Sequence, residues 1–238
     1  MIDKISLFLC ISWLSSLTLN AQIKPLDKSA PDQLKRKRIE LIAGASLLYP
    51  LGGNWPKEED ARRITYGYSL GVGYSQFSQK RFELVTRLLW ERKGYATNYT
   101  NRYTDSLGNS NLSEAFGKQK LDYFIFSQLL KIHFGQEFSL ITGAYLGLLM
   151  HNEFYQEIYL NNQYSFSYFA SNVDDRFKSV DFGLSLGSSY KMEVTRKLDM
   201  ELQLLSNFGL SNIVSNKFPA LNIKQSSLIV SLILILKH

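Results

Sequence analysis

Hydrophobic and polar residues alternate one by one along most of this chain. The segment from 81 to 93 shows the pattern most clearly. Phe82, Leu84, Leu88 and Trp90 share one parity. Glu83, Arg87 and Glu91 share the other. Successive side chains of a β-strand point to opposite faces, so this segment predicts a strand with one apolar and one charged face. On a helix the apolar residues would be scattered around the axis.

The same alternation recurs in eight segments, and the links between them alternate in length. Short links follow the second, fourth and sixth segments (77–80, 135–137 and 194–197), whereas the other links are long. An even number of strands, with short turns at one end and long loops at the other, is typical of an outer-membrane barrel. The predicted strands are 39–50, 65–76, 81–93, 120–134, 138–150, 179–193, 199–210 and 225–236, and the long loops are 51–63, 94–119, 151–178 and 211–224.

Alternation alone does not say which face points inward, but two further features favour a polar interior. Glycine and serine are frequent on the polar parity, as expected where the walls of a narrow barrel approach each other. Aromatic residues of the apolar parity lie towards strand ends, as in the girdles of membrane barrels: Tyr49, Tyr74, Trp90, Tyr190 and Phe208. The predicted fold is therefore all-β, an eight-stranded antiparallel up-and-down transmembrane β-barrel with short periplasmic turns and long extracellular loops. Its predicted lumen charge network is Glu83, Arg87, Glu91, Lys131, Asp181, Lys191, Asp199 and Glu201.

The N-terminus has the pattern of a secretory signal peptide. One lysine, Lys4, precedes an apolar run that ends at Leu19, and Ala21 stands before a polar residue. A membrane anchor would need a longer apolar run. We expect cleavage after Ala21, which divides the chain into a signal peptide (1–21), a polar and basic periplasmic lead-in (22–38) and a barrel domain (39–238).

Composition narrows the possible chemistry. The single cysteine, Cys10, excludes a disulfide framework and a cysteine-based zinc site, and three histidines offer little for a metal centre. We expect neither a metal nor a cofactor. The net charge of +6 suits anionic partners. For an exported chain these are outer-membrane lipids and lipopolysaccharide, and not nucleic acid. Basic residues of the predicted loops would face the phosphates of lipopolysaccharide: Lys57, Arg62, Arg63 and Arg102.

Several short stretches of the predicted strands and of the residues that flank them carry a shared pattern: 82–84, 93–94, 129–135, 142–147, 180–187 and 207–213. These stretches resemble the PorT-like outer-membrane β-barrel family of Bacteroidetes-type Gram-negative bacteria, within the eight-stranded OmpA/OmpX-like class. The resemblance covers about residues 38–236. It implies an outer-membrane location, insertion by the barrel-assembly machinery and a secretion-system or surface protein as partner, because founding members are implicated in protein secretion and gliding.

The sequence contains few candidate catalytic residues. His151 follows the fifth predicted strand, near the loop acids Asp174 and Asp175, so an outer-membrane hydrolase or acyltransferase centred on His151 is one alternative. No nucleophile stands at a defined spacing from His151, and we favour a solvated loop histidine. His133, next to a predicted periplasmic turn, is interpreted as an interfacial residue. We therefore expect no catalytic residue and no enzymatic activity.

The predicted loop 151–178 is unusually aromatic, and its central stretch would extend a hairpin beyond the membrane as a binding platform. Packing of these aromatic residues on each other is the simpler alternative. The sequence favours a non-enzymatic barrel without an open diffusion pore, acting through its loops in a structural, adhesive or secretion-accessory role. A soluble lipocalin-like barrel with inverted faces is the other alternative. The predicted platform residues are Tyr155, Tyr159, Tyr164, Phe166 and Tyr168.

Overall fold

The computed structural model describes residues 38–51, 61–78, 81–104, 110–160, 163–171, 177–214 and 223–237. The predicted signal peptide, the lead-in up to residue 37 and Lys57 lie outside these residues. Among the described residues, no helix is long and apolar enough to cross a membrane. The strands are β1 (Arg38–Leu51), β2 (Ala61–Arg63), β3 (Thr65–Ser78), β4 (Phe82–Thr104), β5 (Ser110–Phe134), β6 (Phe138–Leu160), β7 (Gln163–Ser171), β8 (Val180–Thr195), β9 (Leu198–Gly209) and β10 (Lys224–Lys237).

Eight of these strands close into one antiparallel barrel. The order β4-β3-β1-β10-β9-β8-β6-β5 is closed by pairing of β4 with β5. The first and last strands meet along their whole length, from Arg38 opposite Lys237 to Leu51 opposite Lys224. Closure pairs every strand on both edges, as a bilayer requires. The eight-stranded barrel predicted from the alternation is thereby confirmed.

The two faces of the barrel wall follow the predicted parity. In β9, Leu202 and Leu204 are exposed on the outside, whereas Glu201 and Gln203 are buried inside. An outside of exposed leucines and an inside of buried charges is the reverse of a soluble barrel. The lipocalin-like alternative is therefore wrong. The twelve residues of β9, at about 3.3 Å each and about 40° of tilt, rise far enough to cross the apolar band of a membrane.

Strand length divides the barrel wall into two parts. β4, β5 and β6 have 23, 25 and 23 residues, whereas the other five barrel strands have 12 to 16. The prediction that residues 94–119 and 151–178 form loops is therefore wrong, because most of their described residues belong to β-strands. Short β2 pairs with β4, and β7 pairs with β6. We call the five-stranded sheet formed by β2, β7 and the upper parts of β4, β5 and β6 the extracellular sheet.

The opposite end of the barrel has tight turns, as predicted. The β5–β6 turn spans residues 135–137, and Gly135 adopts a φ of +81°, which favours glycine. This turn places His133 directly opposite Ser139. The short turns lie at this rim and the long strand extensions at the other, which identifies it as the periplasmic end.

Candidate functional site

A cluster of ion pairs occupies the middle of the lumen. Glu40 of β1 accepts hydrogen bonds from Arg87 Nε and Lys131 Nζ, each at 2.7 Å. Lys131 also bonds both carboxylate oxygens of Glu201 at 3.0 Å. Arg87 Nη1 reaches Gln203 Oε1 at 2.7 Å. The five side chains come from four strands, β1, β4, β5 and β9, so the cluster joins opposite walls of the barrel.

The charges of this middle cluster balance, with two carboxylates against two cations. All five residues are almost completely buried. Desolvation makes an uncompensated charge very costly in such a place, so each group depends on its partners. The sequence predicted Arg87, Lys131 and Glu201 but not Glu40 or Gln203, which complete the arrangement.

A second cluster lies in the lumen on the extracellular side of the middle cluster. Lys93 Nζ donates to Asp181 Oδ2 at 2.8 Å and lies 4.3 Å from the centre of the Tyr145 ring. Tyr145 Oη donates to the same Asp181 oxygen at 3.2 Å, and Ser211 Oγ donates to the other at 2.6 Å. The predicted Glu91 is fully buried beside this cluster and accepts a hydrogen bond from a serine of β10.

Apolar side chains cover the second cluster on its extracellular side. Ile213 and Ile223 are out of contact with solvent, and Ile213 N donates to the Ile223 carbonyl at 3.0 Å. Phe177 and Val214 form a β-bridge across the same region. We call Phe177, Ile213, Val214 and Ile223 the apolar cap. They pack with Leu121 and Tyr123 of β5 into one hydrophobic cluster.

A third group lies at the periplasmic end. Glu83 Oε2 is 3.3 Å from His133 Nε2, and Glu83 Oε1 is 3.7 Å from Arg38. His133 Nδ1 is 2.7 Å from Ser139 Oγ. The interpretation of His133 as an interfacial residue is wrong, because its ring contacts inward-facing Glu83 and Ser139.

The remaining predicted lumen residues lie near the same end. Asp199 is buried and stands opposite Glu193. Lys191 is half-buried and stands opposite Glu201, but none of the described ion pairs includes it. The described ion pairs do not join the eight predicted residues into one continuous network. These residues are divided between the middle cluster, the second cluster and the periplasmic end.

The outer face of the extracellular sheet carries its own ion pairs, just above the lipid-facing side chains. Arg92 donates two hydrogen bonds to Asp122, at 2.6 and 2.7 Å. Lys120 bonds Glu153 at 3.1 Å, and His151 Nε2 lies 3.4 Å from the same carboxylate. The hydrogen bond and the charge of Lys120 hold the pKa of Glu153 below its usual range, despite partial burial. The Glu153 carboxylate is therefore already paired with the ammonium group of Lys120. This arrangement gives the hydrolase alternative at His151 no support.

The predicted platform residues lie on two different faces of the extracellular sheet. Tyr168 stands opposite Gln156, and its ring centre is 6.4 Å from that of Phe154, so it faces the lumen side. Phe166 shares this side. Tyr155 and Tyr159 lie on the outer side, where both hydroxyls bond Glu157. The Tyr164 side chain lies outside the described residues, as do those of Arg62, Arg63 and Arg102.

The described residues contain no group of three or more His, Cys, Asp or Glu side chains that could hold a metal ion. They do contain residues that the sequence did not single out. Lys93 and Tyr145 complete the second cluster, and Ser139 completes the periplasmic group. Their inward parity was visible in the sequence, but their partners depend on the strand order around the barrel.

The family model "Outer membrane protein beta-barrel domain" matches residues 15–215, well over half of the chain. The chain belongs to this family. A search of curated protein sequences gave no match. The match agrees with the closed barrel, its apolar outside and its charged inside, and it identifies the chain as an outer-membrane β-barrel protein.

Three solved structures illustrate what the barrel is similar to. Neisserial surface protein A is 15% identical, over 84% of this chain and 97% of that one, with a TM-score of 0.37. Ail, the attachment invasion locus protein of Yersinia pestis, solved with a heparin analogue, is 10% identical over 84% and 99%, with a TM-score of 0.36. The outer membrane protease OmpT from Escherichia coli is 10% identical over 90% and 99%, with a TM-score of 0.34.

Proposed function

We propose that this outer-membrane barrel is a non-conducting scaffold that presents the extracellular sheet to a protein partner at the cell surface. One observation carries the proposal. Three barrel strands continue well beyond the lipid-facing band and combine with β2 and β7 into a sheet. Regular structure on this scale outside the membrane has no role in holding the barrel in lipid. A rigid scaffold that positions a recognition surface is its simplest use.

The binding surface in this proposal is the lumen-side face of the β6–β7 hairpin. Phe166 and Tyr168 expose about half of their surface there, 50% and 52%. Phe154 and Ile158 lie beside them on the same face. Exposed aromatic residues on a rigid backbone are favourable anchors for protein partners. None of the other described strands pairs with the second edge of β7, which leaves backbone groups for an added strand.

The proposal includes a closed lumen. The middle cluster bridges opposite walls, and the apolar cap covers the extracellular end. An eight-stranded barrel has an interior that side chains fill. Purified protein in a planar bilayer should therefore show no steady ion conductance, and a stable open channel would contradict this part of the proposal.

Site-specific photo-crosslinking in the producing bacterium tests the surface directly. A benzophenone amino acid at Tyr168 should yield a discrete protein adduct on intact cells. The matched control is the same amino acid at Leu186, which is similarly exposed (59%) but faces lipid on β8. Adducts at neither position, or equal protein adducts at both, would contradict the proposal.

A secretion-accessory role is the second candidate, and the PorT-like strand patterns favour it. Deleting the gene should then lower the amount of exported protein in the medium, while a periplasmic marker stays inside the cells. A variant in which Phe166 and Tyr168 are replaced by serine should insert normally but fail to restore export. Normal export in the deletion strain would remove this candidate and leave the adhesive role.

A further inference from the structure

We propose that Ser139, His133 and Glu83 form a serine-hydrolase triad at the periplasmic end of the lumen, acting on short-chain carboxylic esters. This inference goes beyond the proposed binding role, because it concerns the opposite end of the barrel and a chemical activity. It rests on the geometry of three side chains from three consecutive barrel strands.

The distances are those of a nucleophile, a base and an orienting acid. Ser139 Oγ lies 2.7 Å from His133 Nδ1, and His133 Nε2 lies 3.3 Å from Glu83 Oε2. A neutral imidazole with its proton on Nε2 satisfies both contacts, because Nε2–H donates to Glu83 while Nδ1 accepts from the serine hydroxyl. Hydrogen-bond reach between nucleophile and base, with a third group holding the base, is the arrangement that activates a serine.

Local structure fixes this arrangement. The tight turn that contains Gly135 makes His133 and Ser139 direct cross-strand neighbours. His133 N donates to the carbonyl of Arg81 at 2.8 Å, which ties the end of β5 to the start of β4. Glu83 follows two residues later on β4. The three side chains are therefore positioned by the sheet and not by a free loop.

The acid has a partner that favours its charged form. Arg38 lies 3.7 Å from the second oxygen of Glu83. A carboxylate held in this way keeps the imidazole in one tautomer and stabilises the imidazolium that forms during proton transfer. Arg38 and His133 side chains keep some exposure, 19% and 16%, whereas that of Glu83 keeps 5%. Access to the site is thus from the periplasmic rim.

Ser189 supplies a donor for the developing oxyanion. It stands directly opposite Ser139 on β8, so the two Cβ atoms are neighbours. Its hydroxyl is buried and has no hydrogen-bond partner among the described residues. Burial of Ser139 and the narrow interior limit the substrate to a slender acyl group.

The reaction balances with water as the second reactant. Ser139 Oγ bonds to the carbonyl carbon as His133 Nδ1 takes the hydroxyl proton. The ester C–O bond then breaks, and His133 returns the proton to the leaving alcohol. Water attacks the acyl-serine through the same base, releasing the carboxylic acid and restoring Ser139.

A fluorophosphonate probe and p-nitrophenyl acetate test the proposal on the full-length protein refolded in detergent. The probe should bond to Ser139 with loss of fluoride, and Ser139→Ala should abolish both labelling and ester hydrolysis. His133→Gln should slow labelling by at least about 100-fold. Ser189→Ala should slow ester hydrolysis by about 100-fold, because it removes one oxyanion donor.

The control is Ser127→Ala, which removes another buried, inward-facing serine whose hydroxyl has no partner among the described residues. It should label and hydrolyse like the wild type. Each variant must show the same heat-dependent shift on a gel, which establishes that its barrel has folded. Lack of labelling in the folded wild type, equal labelling of Ser139→Ala, or unchanged labelling of His133→Gln would overturn the triad. Hydrolysis by Ser189→Ala at the wild-type rate would overturn the oxyanion assignment.

Discussion

β9 and the β6–β7 hairpin both consist of antiparallel paired strands, but their surroundings differ. β9 lies between lipid and the packed lumen, whereas the hairpin lies in water. In β9, burial alternates from residue to residue, with exposed leucines outside and mostly polar groups buried inside. In the hairpin, exposed aromatic residues occur on both faces, and Phe169 of the outer face is as open as Tyr168 of the other. Lipid on one side and a packed lumen on the other enforce alternation. Water on both sides of a sheet does not.

Strand β5 crosses both environments, so it offers the sharpest internal comparison. Lys131 is buried between Glu40 and Glu201 in the lumen. Lys120 of the same strand pairs with Glu153 on the outer face of the extracellular sheet, where its side chain is 37% exposed. The same residue type should therefore contribute very differently to stability.

Lys131→Met should have the largest effect. It leaves two buried carboxylates without their shared cation, and we expect a loss of about 3 to 5 kcal/mol in the free energy of unfolding. The matched Lys120→Met should cost less than about 1 kcal/mol, because an exposed pair is screened by water. Urea unfolding in lipid vesicles measures both, and similar losses in the two variants would break the comparison.

A charge introduced on an exposed face should give the second-largest difference in stability loss between the barrel wall and the extracellular sheet. Leu204→Arg places a guanidinium group on the lipid-facing side of β9 and should cost about 2 to 4 kcal/mol. Phe166→Arg, at a site of similar exposure on β7, should change stability by no more than about 0.5 kcal/mol. Unfolding in vesicles again provides the measurement. A harmless Leu204→Arg would mean that this face does not contact lipid.

Removal of a single methyl group should give a smaller difference in stability loss between the two regions. Ile213→Val in the apolar cap should cost about 1 kcal/mol, because the buried cavity cannot refill with solvent. Ile158→Val in the half-buried sheet should cost distinctly less. Equal losses in urea unfolding would indicate that the cap is not packed as described.

The smallest effect concerns pH. Lys120 lowers the pKa of Glu153 in the folded protein, so the pair stabilises the sheet above the ordinary pKa of 4.5 and loses this contribution as the pH falls through the folded value. The contribution should stay below about 1 kcal/mol. In Lys120→Met, the carboxyl titration of Glu153 observed by NMR should move up towards the ordinary value. An unchanged midpoint would contradict the pairing.

The barrel could be predicted from sequence because lipid imposes a period of two that is visible residue by residue. Seven of the eight barrel strands begin within two residues of their predicted starts. The exception is β5, whose upper part lies beyond the lipid band. There the pattern weakens, and bulges add to the difficulty. Met150 is an extra residue in β6 opposite the Asp122–Tyr123 step, and it switches the parity of the lumen side. The aromatic residues beyond it therefore could not be assigned to a face.

The interior contacts were only partly accessible to prediction. The parity of β4 identified Arg87 as inward-facing, but Glu40 stands at the start of the less regular β1, and its pairing with Lys131 requires knowledge of the barrel order. His133 and Ser139 could have been paired from their turn, because a three-residue connection sets the register. The contact of His133 with Glu83 depends on the register between the consecutive strands β4 and β5.

A cysteine scan read by spin-label accessibility in vesicles distinguishes the lipid-facing barrel wall from the water-exposed extracellular sheet residue by residue. Cys10 is the chain's one cysteine, so a Cys10→Ser background admits single probes. Along 200–206 of β9, accessibility to oxygen dissolved in lipid should alternate, high at Leu202 and Leu204 and low at Glu201 and Gln203. Along 165–169 of β7, every position should instead be accessible to a water-soluble nickel complex. A flat profile in β9, or oxygen-favoured alternation in β7, would contradict a lipid-spanning barrel that supports a sheet in water.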